Sequence, residues 1–370
     1  MRLRPLSAVV MAAGEGTRMR SVLPKPLHPL CGRPMLLHVL DALSELLVDR
    51  AVVVVGHGAE RVTKTLQEYG PPDLFIDFVD QHVQRGTGDA ASVALTAFPN
   101  DDDSDDEDIV VLPGDTPLVR PSTLGTLVHA HREANAAATL LTARLPDTTG
   151  MGRVVRAKDG RVSRIVEELD ATEAELEIDE VGTSIYCFRR SLLAPALPRL
   201  SPENAQGEYY LTDVVSVLHD AGHKVVAIEC EDPNEAVGVN DRAQLAAAES
   251  ELRRRINHRW MQAGVTMVDP ERTYVDAGVR LAADITLFPG TILQGKTVVG
   301  EGARLGPHVR LVDCMVGDGA NVEQSVGYDA VVGPSAIVGP FAVLQPGSHI
   351  PAGTTTGSFY TATAGDEESV

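Results

Sequence analysis

Two cationic residues follow a glycine-rich loop near the start of the chain. Gly14 and Gly16 come directly after an apolar run, with Arg18 and the proline-flanked Lys25 shortly behind them. Glycines let backbone N–H groups approach phosphate oxygens, and the cations supply charge beside them. The spacing is not that of a Walker loop, and Met19 stands where a dinucleotide fingerprint needs its third glycine. The pattern predicts a phosphate-binding loop, with a tight turn carrying incidental cations as the alternative.

A second polar loop begins at Gln81 and contains Gly86. The amide of Gln81 has the paired donor and acceptor that reading a pyrimidine edge requires, and Gly86 lets the backbone approach a flat base. This loop predicts a base-binding segment, with an ordinary polar turn as the alternative.

Two oxygen donors could hold a divalent cation. Asp115 closes a Pro-Gly-Asp turn directly after the apolar run 109–112, and Asn240 lies in a Gly-Val-Asn segment far along the chain. A carboxylate at the carboxyl edge of a sheet is a good Mg²⁺ ligand beside a triphosphate. Asn240 contributes only if the fold brings it near; otherwise it reads as a turn or cap residue.

Short apolar runs alternate with helical patterns through the first two thirds of the chain, which predicts an α/β, Rossmann-like domain with a mostly parallel sheet. Ligands in such folds gather where strands end. Helices are expected over 36–47 and 214–218, the second capped by Asp213. The predicted strands cover 7–11, 51–55, 74–79, 109–112, 139–143 and 225–228.

The remainder of the chain has different periods. Residues 241–264 predict a long amphipathic linker helix, and from Leu287 aliphatic residues recur every six positions, with slips before Val316 and Val326. Such hexads are typical of a parallel β-helix, here of about four coils. The expected division is 1–240 for the first domain, 265–356 for the β-helix and a disordered tail over 357–370.

Composition excludes several classes of protein. The 370 residues include 32 Lys and Arg against 52 Asp and Glu, a formal charge of −20, which argues against nucleic-acid or anionic-membrane partners. No apolar run reaches the ~20 residues of a membrane span, and no signal sequence is evident, so a cytoplasmic protein is expected. The four scattered cysteines indicate neither zinc nor disulfides. The acidic run 101–108 predicts a solvated loop.

The motifs together resemble one family, the bacterial bifunctional N-acetylglucosamine-1-phosphate uridylyltransferase and glucosamine-1-phosphate acetyltransferase. Residues 7–263 resemble its uridylyltransferase domain, and 270–356 the start of its left-handed β-helix. The resemblance rests on AAGEGTRM (12–19), LPKPLH (23–28), QRGTGDA (84–90), PGD (113–115), TGMGRVV (149–155), IVEELDAT (165–172), NAQGEYYLTD (204–213) and GVNDR (238–242).

The resemblance implies Mg²⁺-dependent transfer of a uridylyl group from UTP to a sugar-1-phosphate, most simply N-acetylglucosamine-1-phosphate. Arg18 and Lys25 would be catalytic, and Asp115 and Asn240 would bind the metal. A trimer through the β-helix is also expected. The implied substrate-binding residues are Met11, Ala12, Ala13, Gly14, Lys25, Gln81, Gly86, Thr87, Pro113, Gly114, Asp115, Gly152, Glu167, Gly182 and Asn240.

Two departures from the family pattern limit what can be transferred. Gly182 stands where the family has a sugar-contacting Asn, so another hexose-1-phosphate is an alternative substrate. In the β-helix, Gln345 replaces an Arg, and no Lys or Arg follows Arg310. Because the family's acetyltransferase centre also lies mostly in coils beyond this sequence, acetyl transfer is predicted to be absent. A non-catalytic assembly protein that binds nucleotide sugars is the remaining alternative.

Overall fold

The computed structural model describes residues 4–98 and 107–364. Most of the acidic run and the last residues of the expected tail lie outside these ranges. Two compact units are present. The first contains the residues up to His28 and Pro34–Gln244, and the second contains Pro29–Arg33 and the residues from Leu245 onward.

The first unit is built from strands that alternate with helices. Its helices are α1 Met35–Glu45, α2 Ala59–Tyr69, α3 Thr87–Leu95, α4 Pro121–Ala134, α5 Glu173–Leu176, α6 Arg190–Ala196 and α7 Asp213–Asp220. The strands, including the small pair β2 and β3, are β1 Leu6–Met11, β2 Pro29–Leu30, β3 Arg33–Pro34, β4 Arg50–Val55, β5 Ile76–Asp80, β6 Asp108–Pro113, β7 Ala138–Arg144, β8 Arg153–Arg156, β9 Val162–Val166, β10 Glu180–Arg189 and β11 Val225–Glu229.

The main sheet has the order β11-β7-β10-β6-β1-β4-β5, with β8 and β9 attached as a side hairpin. Neighbours are parallel except at β10, which runs antiparallel to both β6 and β7. The predicted α/β class is confirmed, and all six predicted strands are present. Strands β8, β9 and β10 were not predicted from the sequence, and neither was the small pair β2 and β3.

Both faces of this sheet are covered, which explains why its strands are almost continuously apolar. In β1, Ala8 and Val10 pack toward the helices α1, α2 and α4, while Val9 packs toward α3, α6 and α7. Because β1, β4, β5 and β6 are parallel, the loops that follow β1, β5 and β6 lie at one edge of the sheet. The loops predicted to bind phosphate, a base and a cation therefore lie at the same edge of the sheet.

The second unit combines α8 Arg242–Gln262, from Leu245 onward, with short strands stacked in three parallel sheets. The sheets are β12-β15-β18-β21-β24, β13-β16-β19-β22-β25-β27 and β14-β17-β20-β23-β26. Their bounds are β12 Thr266–Met267, β13 Tyr274–Val275, β14 Arg280–Leu281, β15 Thr286–Leu287, β16 Ile292–Gln294, β17 Val298–Val299, β18 Arg304–Leu305, β19 Arg310–Val312, β20 Met315–Val316, β21 Asn321–Val322, β22 Val326–Tyr328, β23 Val331–Val332, β24 Ile337–Val338, β25 Val343–Leu344, β26 His349–Ile350 and β27 Thr361–Ala362.

This stack is the expected β-helix, consistent with the left-handed form, and it departs from the expectation in extent and register. Sheets of five, six and five strands give five coils in place of about four. The inward position of β22 belongs to Gly327, paired with Leu311 and Leu344, and Val326 lies beside it. Because glycine has no apolar side chain, Gly327 is not recognisable in a pattern of aliphatic residues, and the prediction used Val326 instead.

Two predicted boundaries also change. Strand β27 pairs with β25, so ordered β-helix continues past residue 356, where the tail was expected to begin. Helix α8 packs Leu252, Ile256 and Trp260 against the core of the β-helix, so most of the predicted linker helix 241–264 belongs to the second unit. Within the described ranges, no helix is long and apolar enough to cross a membrane.

Candidate active site

A cavity of about 660 Å³ opens in the first unit beside the ends of β1 and β6. All of the predicted substrate-binding and metal-binding residues line it. Arg18 does not: it is exposed on the short turn of helix Thr17–Met19, next to lining residues of the glycine-rich loop. The lining residues that match the prediction are Met11, Ala12, Ala13, Gly14, Lys25, Gln81, Gly86, Thr87, Pro113, Gly114, Asp115, Gly152, Glu167, Gly182 and Asn240.

The glycine-rich loop presents unused hydrogen-bond donors. Within the described residues, the backbone N–H groups from Ala13 to Arg18 donate to no protein acceptor. Gly16 adopts φ 66°, a left-handed conformation that suits glycine. A Cβ at this position would lie 2.6 Å from Cβ of Lys25, so the close packing of Lys25 also requires glycine here. A row of free N–H groups beside a lysine is a favourable site for an anion.

Lys25 occupies the position between the two predicted metal ligands. Its Nζ donates to Oδ2 of Asp115 and, over 2.7 Å, to Oδ1 of Asn240. The loops that carry these ligands are joined by a hydrogen bond from Val239 N to Asp115 O of 2.8 Å. Asn240 is held in turn, since its N–H donates to Oε1 of Gln244 over 2.7 Å. Asn240 is therefore close to Asp115, which the sequence had left open.

The donor set suits Mg²⁺. A carboxylate and an amide oxygen are hard ligands, and the Lys25 ammonium already shows that their oxygens can converge on one cation. The described residues contain no cluster of three His, Cys, Asp or Glu side chains that could hold a metal. Magnesium at Asp115 and Asn240 would therefore take its other ligands from water and substrate phosphates, as Mg²⁺ often does.

The predicted base-binding loop is firmly held. Gln81 is 4% exposed, and its Nε2 donates to Oδ2 of Asp89 over 2.8 Å and to the carbonyl of Gly86 over 3.2 Å. Gly86 has φ 107°, and a Cβ there would lie 2.6 Å from the carbonyl oxygen of Tyr209. Hydrogen bonds from Gly88 N to Tyr209 O and from Tyr209 N to Arg85 O fasten the loop to the same segment.

Gly152, Gly182 and Glu167 also line the cavity. Burial raises the pKa of Glu167, and the charges of Asp213 and Asp170 raise it further, while a 2.9 Å hydrogen bond from Thr212 opposes the shift. A Cβ at Gly182 would lie 3.3 Å from Cδ1 of Ile165, an approach that a small shift can relieve. This group of residues therefore combines a half-buried carboxyl group with a glycine where a side chain is missing.

Several residues that line or support the cavity were not predicted from the sequence. Gln84 donates to the carbonyl of Ala13 over 3.0 Å, and Ser184 lines the cavity with φ 60° in a bulge of β10. Thr212 was passed over because Asp213 resembled a helix cap. The structure places Thr212 at the N-cap of α7 and turns its hydroxyl toward Glu167, while Asp213 begins the helix. The motif NAQGEYYLTD (204–213) was the available signal.

Comparisons with known proteins identify the family of the chain. A family model described as a MobA-like NTP transferase domain matches residues 8–221. The bifunctional protein GlmU of Desulfitobacterium hafniense is 48% identical over 325 residues, which cover 88% of this chain and 69% of that protein. The chain belongs to the GlmU family. The bifunctional protein GlmU of Brevibacillus brevis is 46% identical over 96% of this chain and 75% of that protein. The GlmU of Thermobifida fusca is 46% identical over 89% of this chain and 67% of that protein.

Membership of the GlmU family confirms the resemblance found in the sequence. The chain is a sugar-1-phosphate nucleotidyltransferase of the UDP-N-acetylglucosamine diphosphorylase type. The free N–H groups of residues 13–18, Lys25 and the buried Gln81 lie at one cavity within the matched residues 8–221.

Proposed function

We propose that the chain transfers a uridylyl group from UTP to N-acetylglucosamine-1-phosphate, with Mg²⁺, to give UDP-N-acetylglucosamine and pyrophosphate. The observation that carries this proposal is the convergence of Lys25, Asp115 and Asn240 beside the free N–H groups of residues 13–18. Gln81 and Gly86 supply a site for the base, and Glu167 supplies a polar group for the sugar; all three residues line the cavity.

In the proposed reaction, an oxygen of the sugar phosphate attacks the α-phosphorus of UTP. The new phosphorus–oxygen bond forms as the bond between the α-phosphorus and the bridging oxygen to the β-phosphorus breaks, and that oxygen leaves with pyrophosphate. The nucleophile is already an anion, so the step needs positioning and charge neutralisation more than a protein base. The N–H groups of residues 13–18, with Arg18 and Lys25, are suited to neutralise the phosphates.

Asp115 and Asn240 would hold the magnesium ion. When bound, Mg²⁺ would neutralise phosphate charge and orient the α-phosphate. Lys25 would then leave its present hydrogen bonds and move onto a phosphate oxygen.

The reaction is tested by pyrophosphate release with MgCl₂, UTP and a panel of sugar-1-phosphates, with TTP and GTP as nucleotide controls. We expect turnover with UTP and N-acetylglucosamine-1-phosphate. Asp115→Ala should reduce it by about 100-fold or more, as does loss of a group that stabilises developing charge. Asp73→Asn, an exposed loop residue, is the matched control. If the folded wild-type protein releases no pyrophosphate with any member of the panel, the proposal is overturned.

A second candidate substrate is another hexose-1-phosphate, because Gly182 lines the cavity and offers no side chain to a bound sugar. Gly182→Asn supplies an amide there, and Gly182→Ala supplies only the Cβ. If N-acetylglucosamine-1-phosphate is the substrate, the Asn variant should raise its kcat/KM relative to glucose-1-phosphate by about tenfold, the value of one hydrogen bond. The Ala variant should leave the ratio unchanged. A wild-type preference for glucose-1-phosphate would favour the second candidate.

We also propose that the β-helix serves assembly, as a trimer, and not acetyl transfer. No Lys or Arg follows Arg310, so the last coils offer no cation to the phosphates of acetyl-CoA. Light scattering after size exclusion should give about three times the 39.4 kDa of one chain. Saturable binding of acetyl-CoA by calorimetry would contradict the second half of this proposal.

A further inference from the structure

Asp89 lies directly behind the base-binding glutamine. It is in the first turn of α3, its side chain is 9% exposed, and its two oxygens have different partners. Oδ2 accepts from Nε2 of Gln81 over 2.8 Å, and Oδ1 accepts from Nη2 of Arg85 over 2.7 Å. Asp89 is not one of the residues that line the cavity, whereas Gln81 is, so the contact of Asp89 with Gln81 is its link to the cavity.

The position of Asp89 fixes the orientation of the Gln81 amide. A carboxylate only accepts hydrogen bonds, and so does the Gly86 carbonyl that lies 3.2 Å from the same nitrogen. Turning the amide over would place its carbonyl oxygen against two acceptors in a buried site, where such a mismatch is unfavourable. The NH₂ group of Gln81 is therefore held toward Asp89 and Gly86.

The carbonyl oxygen of Gln81 is consequently left for a ligand. It accepts no hydrogen bond from the described residues. It is also not fully enclosed by protein atoms, because the enclosed polar atoms that lack a partner do not include it. Because Gln81 lines the cavity, this oxygen is an acceptor that a bound base can reach. Uracil and thymine carry an N–H at the ring edge between their two carbonyls, whereas cytosine has an acceptor nitrogen at that position.

We propose that Asp89 is a specificity-determining positioning residue, which selects bases with a ring N–H over cytosine by locking the Gln81 amide. This inference rests on the proposed binding of the base at Gln81. The loop that carries both residues is held by Tyr209 and by the hydrogen bond from Leu211 N to Thr87 Oγ1, of 3.0 Å. The amide therefore cannot adapt by moving the loop.

Asp89→Asn is the test, because the amide retains the shape and can donate to a reversed Gln81. We measure kcat/KM for UTP and CTP, and the binding of UDP and CDP by calorimetry. The preference for the uracil nucleotide should fall by about tenfold or more, as when a buried hydrogen bond to a charged group is lost. Asp80→Asn, an exposed neighbour in sequence, should leave the preference unchanged and serves as the matched control.

A purely structural role is distinguished by Arg85→Gln. Arg85 is 60% exposed and pairs with the other oxygen of Asp89, so its loss weakens the start of α3 while leaving the contact with Gln81. We expect lower thermal stability with the uracil preference retained. An Asp89→Asn variant that loses activity on UTP and CTP in the same proportion overturns the inference. Wild-type protein that turns over no nucleotide, yet still prefers UDP to CDP, would instead contradict the proposed function alone.

Discussion

At the scale of single residues, the site holds its own lysine where a metal ion is expected. Lys25 is 13% exposed at its side chain and donates to both Asp115 and Asn240. An ammonium ion and Mg²⁺ cannot share these oxygens without strong repulsion between the two cations. Metal binding and the position of Lys25 are therefore coupled.

Replacing Lys25 should consequently separate metal affinity from turnover. We expect Lys25→Ala to bind Mn²⁺ more tightly than the wild type without nucleotide, since Asp115 and Asn240 are then free. Turnover should fall, since the phosphates lose a cation. Electron paramagnetic resonance titration of free Mn²⁺ measures the first effect. Equal Mn²⁺ affinity in both proteins would contradict the coupling, and Lys64→Ala in α2 is the control for lost charge.

A second prediction concerns pH and the half-buried carboxyl group of Glu167. Its pKa is raised, so the carboxylate forms at a higher pH than for an ordinary glutamate. If the ionised form holds the sugar, kcat/KM for the sugar phosphate should fall as the pH is lowered. This fall should begin at a pH above the usual pKa range of glutamate. Thr212→Val removes the hydrogen bond that lowers this pKa, so the acid limb should move to still higher pH. Thr126→Val in α4 is the control, and coincident pH profiles for the Thr212→Val variant and the wild type would contradict this role.

At the scale of elements, strand β6 connects an anchored end to a functional end. It begins at the buried Asp108 and is followed by Asp115 in the cavity. Arg4 Nε lies 2.9 Å from Asp108 Oδ1, Arg132 Nε donates to Oδ2 over 2.8 Å, and His131 Nε2 lies 3.4 Å from Oδ1. Burial alone would raise the pKa of Asp108, but His131 and Arg132 outweigh it and the pKa is lowered.

Asp108→Asn should therefore destabilise the first unit by about 3–5 kcal/mol, because breaking a buried ion pair leaves its partners without a counter-charge. A lowered pKa contributes stability at neutral pH that is lost as the pH falls through the folded value. Thermal unfolding from pH 7 toward pH 3 should thus show a flatter acid dependence in the variant. Asp220→Asn, an exposed residue at the end of α7, is the control, and an unchanged melting temperature for Asp108→Asn would contradict the anchor.

Much of the architecture was predictable at this scale, and the exceptions have physical reasons. Parallel strands buried on both faces are near-continuous runs of Val, Ile and Leu, so β1, β4 and β6 were evident. Strand β10 was missed because Gly182, Thr183 and Ser184 interrupt its apolar pattern at the bulge.

The candidate site also contains features that the sequence could predict and features that it could not. Residues in loops directly after strands, such as Gln81 and Asp115, could be placed from the sequence because strands end at one edge of the sheet. The contact of Lys25 with Asn240 joins residues far apart in the chain, and the role of Asp89 depends on side-chain geometry. Neither leaves a local pattern in the sequence.

At the scale of the whole molecule, a chain of formal charge −20 must admit a polyanionic nucleotide. The cavity offers Lys25, nearby Arg18 and free N–H groups, while most other charges on the protein repel phosphate. The Debye length is about 30 Å at 0.01 M salt and about 8 Å at 0.15 M, so added salt screens the distant repulsion first.

We therefore expect kcat/KM for UTP to rise as NaCl is increased from 10 to 150 mM at constant free Mg²⁺, by roughly a few-fold. At saturating UTP, kcat should change little, and this provides the internal control. Steady-state kinetics along the salt series measures both. A steady decline of kcat/KM with salt would mean that the local cations dominate the approach of the nucleotide.

The antiparallel strand β10 also has a consequence during synthesis on the ribosome. It lies between β6 and β7, although it follows both in the chain. At roughly 5–20 residues per second, the segment from the end of β7 to the end of β10 takes roughly 2 to 9 s to emerge. During that interval the nascent β6 edge, with its apolar Ile109–Leu112 run, has no partner on one side. Because unpaired apolar strand edges are prone to aggregate, we expect the nascent chain to need a chaperone most during this interval, whereas the β-helix can add one coil at a time.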